Sequence, residues 1–105
     1  MVKNTVDLIV LAAENKLGQD IQIIDIDPKA GICEQFVVIT GRNVNHTQAI
    51  ADEIEDKLLQ DGVSPLSVEG HREGRWILLD YDGVIVHVFT ADQRSYYNLE
   101  GLWSR

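Results

Sequence analysis

The stretch Trp76-Ile77-Leu78-Leu79-Asp80-Tyr81-Asp82-Gly83-Val84-Ile85-Val86-His87-Val88-Phe89 decides the fold. Two runs rich in β-branched and aromatic residues flank an Asp-Gly dipeptide, the pair favoured in two-residue type I′ hairpin loops. Such a loop sets the register: Tyr81 faces Val84, Leu79 faces Val86 and Ile77 faces Val88. One face of the hairpin is then wholly apolar and belongs to a core. The other carries Trp76, Leu78, Asp80, Ile85, His87 and Phe89, with Trp76 opposite Phe89 and Asp80 diagonal to His87. A mixed face of this kind needs either a cover or a partner.

Working outward, residues 65–69 read as a short strand, and Gly70-His71-Arg72-Glu73-Gly74 as a polar loop. Residues 43–60 form the clearest helix. Asn43 or Asn45 caps it, Ala49, Ile50, Ile54, Leu58 and Leu59 make its apolar stripe, acids fill its outer side, and Gly62 closes it. Residues 35–40 are almost wholly apolar, the pattern of a strand covered on both faces. Residues 21–27 alternate β-branched residues with acids and end at Pro28. A first helix, capped by Asn4 or Thr5, carries Val6, Ile9, Val10 and Ala13 and stops at Gly18. The tail, residues 91–103, carries Tyr96, Tyr97, Leu99, Leu102 and Trp103 and reads as one or two short helices packing an aromatic end on the sheet. The order helix, strand, strand, helix, three strands, helix predicts an α/β (α+β) domain with a mixed sheet of about five strands and flanking helices.

The chain has 105 residues, 9 Lys+Arg against 17 Asp+Glu, a formal net charge of −8 and 45% apolar content. That suits one domain, 1–105, with a real core. The surplus of negative charge repels phosphate, so direct nucleic-acid binding and an anionic membrane surface are disfavoured, and a basic protein is the natural complement. The apolar run at residues 8–13 is short and bounded by Asp7 and Glu14, which points to a cytoplasmic protein without a membrane span. The single cysteine, Cys33, reads as a small semi-buried apolar side chain.

Asp25-x-Asp27 and Asp80-x-Asp82 are the pairs that a two-metal transfer site would need after a phosphate-gripping turn. The Thr40-Gly41 turn before the long helix is the right sort of turn. Asp80, however, lies about forty residues downstream, Asp82 sits in the hairpin loop, and the Asp25 pair precedes the turn. The acids therefore read as solvated. His87 with Asp80 reads as a hydrogen-bonded structural pair, and His46 as a solvated residue near the helix start. No Walker motif, GxGxxG or zinc spacing exists, so no catalytic residue, cofactor or metal is assigned.

Val68-Glu69-Gly70, Trp76 to Asp80, Val84-Ile85-Val86-His87-Val88-Phe89 and Arg94-Ser95-Tyr96-Tyr97-Asn98-Leu99-Glu100-Gly101-Leu102-Trp103 together resemble the ribosomal silencing factor family, also called RsfS or Iojap. The strand from Phe36 to Gly41 and the helix start Ala49-Ile50-Ala51-Asp52 add to the likeness, which spans nearly the whole chain. Asn43 and Asn45 stand where members usually have Ser and Arg. The resemblance implies a fold similar to a nucleotidyltransferase core without its catalytic residues, and no enzymatic activity. It implies binding to the large ribosomal subunit through its fourteenth protein, on the face that meets the small subunit. Subunit joining and translation are then blocked, with a further role in large-subunit maturation and frequent homodimers. A magnesium-dependent nucleotidyltransferase-like enzyme and a dimeric adaptor that ignores ribosomes are the alternatives.

The mixed hairpin face and its adjoining loop are the expected partner surface. Trp76 is its large rigid anchor. Leu78 and Ile85 add apolar area, Asp80 and Glu69 meet basic side chains of the partner, and His71, Arg75 and Tyr81 are lesser members.

Overall fold

In the computed structural model, residues 4–31 and 33–97 are described, and the elements follow the order α1 (Thr5–Asn15), β1 (Gln19–Asp25), β2 (Gln35–Gly41), α2 (Val44–Gln60), β3 (Ser67–Glu69), β4 (Trp76–Tyr81), β5 (Val84–Thr90) and α3 (Ala91–Tyr97). A short 3-10 turn, Pro28–Ala30, lies between β1 and β2. The sheet runs β1-β2-β5-β4-β3. Only β2 and β5 pair in parallel, and the other three pairings are antiparallel. α2 therefore carries the chain from β2 across to the far edge, and β3, β4 and β5 return strand by strand to meet β2. The mixed five-stranded sheet with flanking helices is the fold the sequence predicts.

The β4–β5 register is also as read: Trp76 opposite Phe89, Ile77 opposite Val88, Leu79 opposite Val86 and Tyr81 opposite Val84. The loop type differs. Asp82 does not take a positive φ and Gly83 does, at 82°, which is the pattern of a type II turn, whereas type I′ requires both. The turn is also held from outside, since the amides of Glu34 and Gln35 donate to the Gly83 carbonyl at 3.0 and 3.1 Å.

Each sheet face has its own apolar cluster. Beneath α1 and α2 lie Ile9, Ala12 and Ala13, Ile50, Ile54 and Leu58, Val37 and Ile39, and the inward residues of the hairpin from Ile77 to Val88. On the opposite face Ile24, Ile26, Phe36, Val38 and Phe89 pack together, with Cys33, Trp76 and Ile85 partly buried against them. β2 is thus buried on both sides, as its unbroken apolar run requires.

Local signals place the helices. The Asn4 side chain accepts from the Asp7 amide at 2.8 Å, and Asn43, not Asn45, accepts from the His46 amide at 2.9 Å. At the end of α1 the left-handed position is Leu17, with φ 60°, one residue before the expected Gly18. Gly18 instead donates to the Ala13 carbonyl at 2.8 Å, and a Cβ there would stand 2.9 Å from Ile39 Cγ2. Glycine serves close packing at that point, while Leu17 takes the strained conformation. β1 begins two residues earlier than read from the sequence, with an irregularity between Gln19 and Gln22. Arg94 Nη1 donates to the Asp20 carbonyl and to Thr40 Oγ1, fastening that irregular start.

Leu59 is not part of the α2 stripe but 62% exposed, and His46, Thr47 and Ala51 are buried in its place. Tyr96 is largely exposed. The expected packing of Leu99, Leu102 and Trp103, and of the Tyr97 side chain, falls outside what is described.

The cap assignment yields a direct test. Asn43→Ala costs about 1 kcal/mol of unfolding free energy, the usual worth of an N-cap, while Asn45→Ala changes it by less than about 0.5 kcal/mol. Urea titrations of the two variants check this.

Candidate functional site: the mixed face of the sheet

β3, β4 and β5 alternate, and the register sorts their side chains. Ser67 pairs with Asp80, Glu69 with Leu78, Leu78 with His87 and Asp80 with Ile85, so these residues share one face with Trp76 and Phe89. At its centre, around Phe36, His87 and Phe89, this face is buried. Trp76, Leu78 and Asp80 on β4, next to the β3 edge, are half-buried, as is Ile85 at the hairpin end of β5, and Glu69 is exposed. Five of the eight expected partner residues therefore stand together on a surface that grades from an aromatic core to an acid-rimmed edge.

The other three do not join them. Tyr81 is only 1% exposed and packs in the cluster beneath the helices, so its inclusion in the partner surface is corrected: strand alternation turns it to the core face. Burial, with a smaller contribution from the charge of Glu55, pushes its hydroxyl up to about 12. His71 Nε2 lies 2.7 Å from Asp52 Oδ1, which directs its ring toward α2. Arg75 is exposed at the entry to β4, where its carbonyl accepts from the Thr90 amide at 3.0 Å.

The loop before Trp76 is pinned by contacts distant in sequence. Gln48 Nε2 donates to the carbonyls of His71 and Arg72 at 2.9 and 3.2 Å, and the Thr47 hydroxyl donates to the Gly74 carbonyl at 2.5 Å. Gly70 has φ 77°, and a Cβ on it would sit 2.1 Å from the Trp76 carbonyl oxygen. No other residue lets the loop turn this close to the strand it feeds.

The Trp76 ring stacks at a tilt on Phe89, with centroids 4.9 Å apart, and its Nε1–H donates to His87 Nδ1 at 3.0 Å. His87 meets Phe36 edge-on at 4.5 Å. This corrects the expected Asp80–His87 pair. The register makes Trp76 and Asp80 equally diagonal to His87, and burial decides between them: a carboxylate keeps its water at the half-exposed edge, whereas an indole N–H entering an apolar cluster needs an acceptor. Since Nδ1 accepts, the imidazole proton sits on Nε2, which has no hydrogen-bond partner among the described residues. Desolvation lowers the His87 pKa to about 4.

Two further readings are settled by geometry. His46 is buried, not solvated: its Nδ1 accepts from the Arg42 amide at 2.9 Å, and its Nε2–H donates to the Lys16 carbonyl at 2.6 Å. It ties the end of α1 to the start of α2 and takes up an amide that a phosphate-gripping turn would leave free. Asp25 accepts from Gln35 Nε2, and Asp27 accepts from the Lys29 amide, so both carboxylates hold local structure. Among the described residues no three His, Cys, Asp or Glu side chains gather to hold a metal ion. Cys33 is half-buried, donates to the Gln35 carbonyl, and has its thiol pKa raised chiefly by burial.

The mixed face thus joins stacked aromatics to an acid-rimmed edge on a small α+β scaffold. Comparison with known proteins gives the chain a family. Residues 2–105 match the family described as ribosomal silencing factor during starvation, and the chain belongs to it. A Bacillus subtilis protein named ribosomal silencing factor RsfS is 38% identical over 101 residues, covering 96% of this chain and 86% of its own. The crystal structure of a Chromobacterium violaceum protein superposes with a TM-score of 0.91 at 32% identity, covering 96% of this chain and 85% of that one. The mouse protein named mitochondrial assembly of ribosomal large subunit protein 1 is 25% identical over 105 residues, covering 97% of this chain and 46% of its own. The family is named for a regulatory role. No helix among the described residues is long and apolar enough to cross a membrane.

The buried histidine makes stability depend on pH. The unfolded chain binds a proton at His87 near its ordinary value of 6.5, the folded chain only near 4. Its contribution is therefore full above pH 6.5 and is lost as pH falls from there to about 4. Between pH 7 and pH 5 the wild type loses about 2 kcal/mol from this group, and His87→Phe loses that much less. Denaturant titrations of both proteins at the two pH values measure the difference.

Proposed function

We propose that this chain binds the large ribosomal subunit through its fourteenth protein and, seated on the face that meets the small subunit, blocks subunit joining and represses translation. It acts in the cytoplasm, without catalysis, cofactor or direct contact to nucleic acid, forms a homodimer, and also serves large-subunit maturation. The single observation that carries this reading is the half-exposed edge of Trp76, Leu78, Asp80 and Ile85 beside exposed Glu69, in a chain of net charge −8. An indole stacked on Phe89 is a rigid, large-area anchor, the residue type that dominates interface energetics. The apolar flank excludes water around it, and the two carboxylates select a basic partner and penalise a phosphate backbone. Membership in the silencing-factor family supports the ribosomal target, and the name of the mouse relative supports the large subunit in particular. Blocking needs only bulk: a body of about 35 × 35 × 22 Å cannot share a subunit-joining face with the opposite subunit.

Co-sedimentation with purified subunits tests this. Wild type pellets with large subunits and not with small ones. Leu78→Asp and Asp80→Lys, both at half-buried positions, melt within a few degrees of wild type and weaken binding at least tenfold, about 1.4 kcal/mol or more. Raising salt from about 0.1 M to about 0.5 M weakens the wild type through screening and has a smaller effect on Asp80→Lys. Equal pelleting of all three proteins would refute the surface, and wild-type protein left in the supernatant would refute the target.

A further inference from the structure

His87 is 4% exposed and lies among aromatic rings, with Phe36 edge-on to it and Phe89 two residues along the same face. An apolar ring would fill this slot without leaving a buried N–H unmatched, yet the Nε2–H of His87 has no acceptor among the described residues. What imidazole supplies and an apolar ring lacks is Nδ1, and Nδ1 accepts the Trp76 indole proton at 3.0 Å. A half-buried indole held by stacking alone keeps a choice of rotamers, and that freedom would have to be given up on docking. The bond to His87 fixes the ring from within the domain before a partner arrives.

We propose that His87 is the positioning residue of the partner surface: it touches no partner and acts by locking the Trp76 ring in its docking orientation. The proposal rests on the reading of Trp76 as the anchor for a ribosomal partner. It also gives the buried, half-satisfied imidazole a reason to be there, since an unmatched donor in a core is otherwise a cost without return.

The test has a spectroscopic arm and a binding arm. In 15N-labelled wild type, the Trp76 indole signal, identified by its loss in Trp76→Phe, shows a nitrogen–nitrogen coupling through the hydrogen bond to His87 Nδ1. His87→Phe and the smaller His87→Leu abolish that coupling and bind large subunits about tenfold more weakly. At neutral pH the better tolerated of the two melts at or near the wild-type temperature. His87→Asn, whose Oδ1 lies near the place of Nδ1, recovers most of the binding. In a Trp76→Phe background, which has no N–H to hold, His87→Phe causes no further loss. Absence of the coupling in wild type overturns the proposal. So does wild-type affinity in His87→Phe when Trp76→Ala has lost binding. If Trp76→Ala binds as well as wild type, the anchor reading itself fails and the positioning role falls with it, a pattern distinguishable from the first two.

Discussion

The parallel pairing of β2 with β5 at the centre of the sheet is the constraint from which the rest follows. Val37 and Ile39 of β2 and Val86 and Val88 of β5 look one way, while Phe36, Val38, His87 and Phe89 look the other, and all of them are buried. A central pair apolar on both sides demands two covers. α1 and α2 supply one, through Ile9, Ile50, Ile54 and Leu58. On the second face Ile24, Ile26, Cys33, Trp76 and Ile85 close around the aromatic residues. Trp76 thus belongs to its own domain as much as to any partner, and the same stacking that helps to bury Phe89 makes the indole a rigid platform.

Charge and site are distributed unequally. The acids of α2 lie on its outward side, with Asp52 and Asp56 exposed, away from the mixed face. In the proposed docking, their work is solubility and long-range attraction to a basic target, whereas specificity at the edge falls to two carboxylates, Glu69 and Asp80. Such a division lets a chain of strong net charge bind through a mostly apolar and aromatic patch without burying many unpaired ions.

The sequence made the hairpin register legible because a period of two, anchored by Asp82-Gly83, leaves no freedom once the loop length is set. The order of elements and the mixed sheet followed from the helical spacing in residues 43–60 and the apolar run of β2. It also brought five of the expected partner residues onto one face, by alternation alone. What escaped depends on contacts between distant segments. Leu59 fits the helical stripe yet faces solvent. His46 looks like a surface residue until Lys16, thirty positions away, offers its carbonyl. Tyr81 is the exception: the local alternation itself turns it to the core face, against its place among the expected partner residues. The choice of His87's partner lay beyond the pattern, since register placed Trp76 and Asp80 symmetrically about it and only burial broke the tie.

The proposed docking sets the edge bearing Trp76, Leu78 and Asp80 against a basic protein on the large ribosomal subunit. Cryo-electron microscopy of the chain bound to purified large subunits tests it most directly. The expected density has the Trp76 ring inserted against a ribosomal protein, Asp80 and Glu69 within reach of its basic side chains, and the outer side of α2 free in solvent. Docking through the outer side of α2, or a contact made mainly to ribosomal RNA phosphates, would contradict it.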